Sequence, residues 1–79
     1  MTLEEIKQAV VNGHEVCWKQ TNYQVRHYQN SNKRSLKSSD FIIICTTNNN
    51  CIGLTWQDNI TLNGDKEDFF INKKEFDSI

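Results

Sequence analysis

Phe41-Ile42-Ile43-Ile44-Cys45 is the longest unbroken apolar run in the chain, and its reading decides the fold. Three consecutive β-branched isoleucines favour a pleated strand, and a run apolar at every position has both faces covered. Five residues are too few for an ordinary helix. The run therefore predicts a central strand over 41–46, and the rest of the chain is arranged around it. On its C-terminal side, Asn48-Asn49-Asn50 reads as a turn, because Asn tolerates positive φ. Next, Ile52, Leu54 and Trp56 alternate with Cys51, Gly53 and Thr55, which predicts a strand over 51–57. Asp58-Asn59 suits a tight turn, and a short strand is expected over 60–63. Asn63-Gly64 is the strongest hairpin signal in the sequence, leading to a strand over 68–72 built on Phe69-Phe70-Ile71.

On the N-terminal side, residues 30–39 are rich in Ser and Asn and read as a loop. Tyr23, Val25 and His27 alternate with Gln24, Arg26 and Tyr28 in a predicted strand over 23–29. If Tyr23 and Val25 face the core, Arg26 and Tyr28 are displayed. Gln20-Thr21-Asn22 is read as a turn after a strand over 14–19, in which Val16 and Trp18 share a face. The chain opens with a helix over 3–12. Thr2 and Glu5 have capping-box spacing, Leu3, Ile6, Ala9 and Val10 form one apolar stripe, and Gly13 fits the left-handed position after the helix. The expectation is a single α+β domain over 1–79, one N-terminal helix packed on an antiparallel meander of five or six strands.

Seventy-nine residues leave no room for a large cofactor-binding fold, and no cofactor is expected. A core of this size supplies roughly 3–5 kcal/mol. With no proline to block a sheet edge, homo-oligomerisation is the expected source of added stability. No segment approaches the roughly 20 apolar residues of a membrane span. The three cysteines, Cys17, Cys45 and Cys51, form no C-x-x-C pair, and their odd number argues against a disulfide framework. These features predict a cytoplasmic protein without membrane attachment.

The net charge of −1 conceals an uneven distribution. Residues 17–39 carry Lys19, Arg26, Lys33, Arg34 and Lys37 and no acid, whereas residues 40–79 are acidic overall. The acidic half opposes a long duplex lying across the molecule, so duplex nucleic acid is not an expected partner. Catalytic patterns are missing. His14 and Cys17 would point to opposite faces of one strand, and only a particular hairpin register would bring Cys17 to His27. Cys45 and Cys51 bracket a turn but have no second pair to complete a zinc site. Neither a P-loop nor a G-x-G-x-x-G occurs.

Binding is the better reading. Trp18, Tyr23, Tyr28 and Trp56 offer aromatic faces, and Arg26, Lys33, Arg34 and Lys37 offer anion-pairing charge. Stacking plus a basic clamp is how proteins hold bases and phosphates. These eight residues are the candidate ligand site.

Cys51-Ile52-Gly53-Leu54-Thr55-Trp56, Thr61-Leu62-Asn63-Gly64 and Glu67-Asp68-Phe69-Phe70-Ile71 resemble a group of small proteins encoded by phages of gut bacteria, as does a helix followed by Val16-Cys17-Trp18. That resemblance implies a phage accessory protein in the cytoplasm of an infected bacterial host and assigns no residue a role. In length and layout the chain is also similar to phage anti-defence sponges, homo-oligomers that bind cyclic nucleotide immune signals between subunits. This similarity implies a non-enzymatic protein that sequesters a small anionic nucleotide. The alternative is an inhibitor or adaptor that occupies a host defence protein through a sheet edge or its acidic surface.

Overall fold

Thr2 and Glu5 do form the expected capping box. The Thr2 hydroxyl accepts the Glu5 N–H at 3.2 Å, and the Glu5 carboxylate accepts the Thr2 N–H at 2.8 Å. The computed structural model describes residues 1–28, 32 and 34–72. Helix α1 spans Leu3–Val11, Asn12 caps it, and Gly13 turns the chain at φ 89°. The strands are β1 (Val16–Trp18), β2 (Gln20–His27), β3 (Phe41–Cys45), β4 (Cys51–Gly53) and β5 (Phe69–Ile71). They make one sheet in the order β4-β3-β2-β1-β5, and every neighbouring pair is antiparallel. The architecture is α+β, with α1 packed on one face of the sheet.

Ile6 and Ala9 of α1 meet Val16, Val25 and Ile43 from three adjacent strands. Phe41, Leu54 and Phe69 complete this buried cluster. The opposite face bears Phe70, Cys17, Gln24, Ile44 and Cys51, which the register aligns in a row across all five strands.

Several boundaries differ from expectation. Gln20-Thr21-Asn22 is not a turn but the start of β2. The reversal is compressed onto Lys19, at φ 64°, beside a bulge between Cys17 and Trp18. β1 is accordingly shorter than 14–19, and β2 ends at His27. β3 ends at Cys45 rather than 46. It is an interior strand, but the middle position belongs to β2. Its second face is only half-buried, and among the described residues no helix lies over Ile42 and Ile44.

β4 stops at Gly53, well short of 57, and no strand forms over 60–63. Thr55 and Leu62 make a single isolated bridge. Topology explains this departure. The first four strands follow one another as a meander, but β5 joins the far side of β1. Residues 54–68 must therefore cross the sheet from one edge to the other. A narrow loop forms within that crossing, where Trp56 N–H donates to Thr61 and Asn63 N–H to Leu54 at 2.9 Å each. The expected Asn63-Gly64 hairpin is replaced by a close approach of Gly64 to Trp18. β5 itself is Phe69–Ile71, preceded by a 3-10 turn at Lys66–Asp68.

Candidate functional site

The four candidate aromatics separate into two pairs. Trp18 lies at the bulged end of β1 and packs against the core. Its ring stacks on Phe69 at 6.2 Å and meets Tyr23 edge-on at 5.7 Å. The backbone of Gly64 lies so close that a Cβ there would sit 2.6 Å from Trp18 Nε1. Nε1 is buried and has no hydrogen-bond partner. Lys19, which the sequence reading left out of the site, places its ammonium 4.6 Å from the Trp18 ring centre. The left-handed reversal at Lys19 that brings them together was not readable as a turn signal. Trp18 and Tyr23 are half-buried and border a separate hollow of about 210 Å³ with Ile43, Cys45 and Ile52.

Tyr28 and Trp56 form the second pair. Tyr28 follows the end of β2, and its N–H donates to the Asp40 carbonyl at 2.7 Å. Trp56 follows β4 in the crossing segment. The two side chains are 53% and 61% exposed and border one half-open recess of about 370 Å³. All three residues of β4 line it, with Phe41 and Leu54 at its base. The Ser38 hydroxyl donates to the Asn59 carbonyl at 2.7 Å, tying the segment after β2 to the loop that carries Trp56. Asp58 shapes that loop. Its carboxylate accepts the Thr61 hydroxyl at 2.6 Å and the Ile60 and Thr61 N–H groups at 2.9 Å each. These bonds, the Thr61 hydroxyl foremost, hold its pKa below the usual carboxylate range. Ile52 and Ile60 stand exposed on the adjoining segments, at 46% and 75%. Neither exposure follows from alternation, which in a strand reaching Gln57 groups Ile52 with the buried Leu54.

The basic candidates do not converge on this recess. Arg26 is exposed, as expected once Val25 is buried, but its guanidinium donates to Gln24 Oε1. It borders a different hollow, of about 580 Å³, between the end of α1 and β2. Arg34 and Lys37 are exposed in the segment leading to Ser38, which lines the aromatic recess. Lys33 lies outside the described residues. One chain thus brings Tyr28 and Trp56 to one recess, with Arg34 and Lys37 exposed in the segment before Ser38, rather than gathering all eight expected residues.

The alternative chemistries are also placed. β1 pairs with β2 so that Cys17 faces Gln24, which separates it from His27. His27 packs instead on Phe41 at 4.5 Å. Cys45 is buried with the core-side residues of β3, while Cys51, opposite Ile44, is on the other face and exposed. Hydrogen bonds from Thr47 above all, with help from the Asn48 N–H and Asn22, hold the Cys45 thiol below its usual pKa. Among the described residues no group of three His, Cys, Asp or Glu could hold a metal ion, and no helix is long and apolar enough to cross a membrane. Compared with protein-family models, curated proteins and solved structures, the sequence matches none. The site itself must carry any functional reading.

Proposed function

We propose that this chain is a non-enzymatic phage accessory protein that binds and sequesters a nucleotide-type immune signal in the host cytoplasm. Tyr28 and Trp56 are the stacking pair in this reading, and Lys37 and Arg34 supply charge from the segment alongside. The observation that carries it is that two largely exposed aromatic side chains open on one recess. Base–aromatic stacking contributes about 1–3 kcal/mol per base, and neither ring is committed to the core cluster. Trp18 and Tyr23, packed on Phe69 and on each other, line a different hollow and are not part of this pair. Native mass spectrometry with a panel of cyclic dinucleotides and ADP-ribose-derived signals tests the proposal. Bound mass in integer ratio to subunits, lost in Trp56→Ala and Tyr28→Ala, is the expected result. A protein that binds none of the panel at micromolar concentration would overturn it.

A second reading is favoured by one feature. The recess has an apolar base, Ile52 lines it, and Ile60, next in sequence to the lining residue Asn59, stands exposed. Surfaces of this kind mark protein contacts. In this reading the chain inhibits or adapts a host protein. Recovery of one stoichiometric partner from host lysate, lost in Ile60→Asp, would favour it over nucleotide sequestration.

A further inference from the structure

We propose that two copies of this chain pair through β4, antiparallel and edge to edge, joining their sheets into one of ten strands. β4 is the edge of the sheet beyond β3. Cys45 N–H donates to the Asn50 carbonyl at 2.8 Å, and Leu54 N–H donates to the Phe41 carbonyl at 3.2 Å. Alternation along an antiparallel pair then directs the main chain of Ile52 toward β3 and that of Cys51 and Gly53 outward. The Gly53 carbonyl accepts the Asn63 side-chain amide at 3.3 Å. Cys51 is thus the residue whose outward N–H and carbonyl face the open edge. A twofold axis through Cys51 sets it opposite its own counterpart, and the two residues exchange both hydrogen bonds.

The edge lacks the devices that normally prevent this. Cys51-Ile52-Gly53 holds no charge and no proline. All three residues are exposed; the Asn63 side chain covers the edge at Gly53, so a second copy meets no like charge and an open main chain at Cys51. An aromatic side chain buries 150–250 Å², so Tyr28, Ile52 and Trp56, which line the recess beside β4 at 53%, 46% and 61% exposure, present on the order of 300 Å² of surface there. That is more than half of the apolar area that one partner contributes to a standard interface of roughly 800 Å² per side. Self-pairing is also the arrangement that places both aromatic recesses along one seam, since β4 lines each of them.

Sedimentation velocity over a concentration series tests the pairing, with three forms of the full chain. Wild type is expected to sediment as a reversible dimer. Cys51→Pro removes an outward N–H and no bond to β3, so it is expected to stay folded by circular dichroism and weaken dimerisation at least about tenfold. Ile52→Lys puts a charge on each edge and is expected to do the same, and it decides the matter if Cys51→Pro fails to fold. A wild type that remains monomeric throughout would overturn the proposal. So would a dimer that persists undiminished in the folded edge variants, because another surface would then hold it.

Discussion

The contrast between the two tryptophans shows how one residue type takes two roles. Trp18 is held by Phe69, Tyr23 and the Gly64 backbone, whereas Trp56 leaves the sheet as soon as β4 ends and stays exposed. Gly64→Ala would drive a methyl into the indole, at a φ of 153° that L-residues rarely adopt. Overpacking of this kind costs about 1–3 kcal/mol, and urea denaturation should show that loss. Trp18→Phe is expected to be far milder. It keeps a ring on Phe69 and deletes a buried N–H that has no acceptor, which offsets part of the lost area. Asp58 makes a prediction about pH. Its carboxylate pKa is lowered in the folded state by Thr61 and Ile60, so the loop contribution is fully present above the ordinary carboxylate pKa. It is lost as pH falls through the lower, folded value. Carbon-detected NMR titration should find Asp58 titrating below the usual range in wild type and closer to it in Thr61→Val.

At the scale of elements, α1 covers one face of the sheet and β5 extends it beyond β1, with Phe69 in the same buried cluster as α1. Thr2→Ala removes the hydroxyl half of the capping box and should cost about 1 kcal/mol in thermal or chemical unfolding. Phe69→Ala empties a site shared by the core cluster and Trp18, at a cost of about 3–5 kcal/mol. That equals the whole contribution expected of so small a core, so this variant should lack a cooperative unfolding transition. The helix was legible because its signals are local: a cap, a stripe and a terminal glycine. The FIIIC strand was legible because five apolar β-branched or aromatic-flanked positions have few other uses. The failures arose where topology overrode local pattern. Nothing local to Ile60–Leu62 says that this segment must cross the sheet, and Asn63-Gly64 carries a hairpin signal that the crossing diverts into a tight approach to Trp18. Burial of Val25 correctly displayed Arg26, but the alternation that grouped Ile52, Leu54 and Trp56 failed once β4 stopped at Gly53.

For the molecule as a whole, the asymmetric placement of α1 over β1 and β2 leaves the β4 side of the sheet open, and the exposed aromatic pair lies there. Stability and binding should therefore separate. Trp56→Ala and Tyr28→Ala alter exposed side chains outside the core, so unfolding should shift by no more than about 0.5 kcal/mol. The same variants should lose the ligand. In the proposed function the recess between Tyr28 and Trp56 is the working surface, and Trp56 itself can report on it. In Trp18→Phe, Trp56 is the sole tryptophan. Its fluorescence should be that of a solvent-exposed indole and should quench saturably when a cyclic nucleotide signal from the panel is added, with no response to inorganic phosphate. Emission that stays unchanged across the panel, with nucleotide still bound by the Trp56→Ala variant, would contradict this reading and move the site away from this recess.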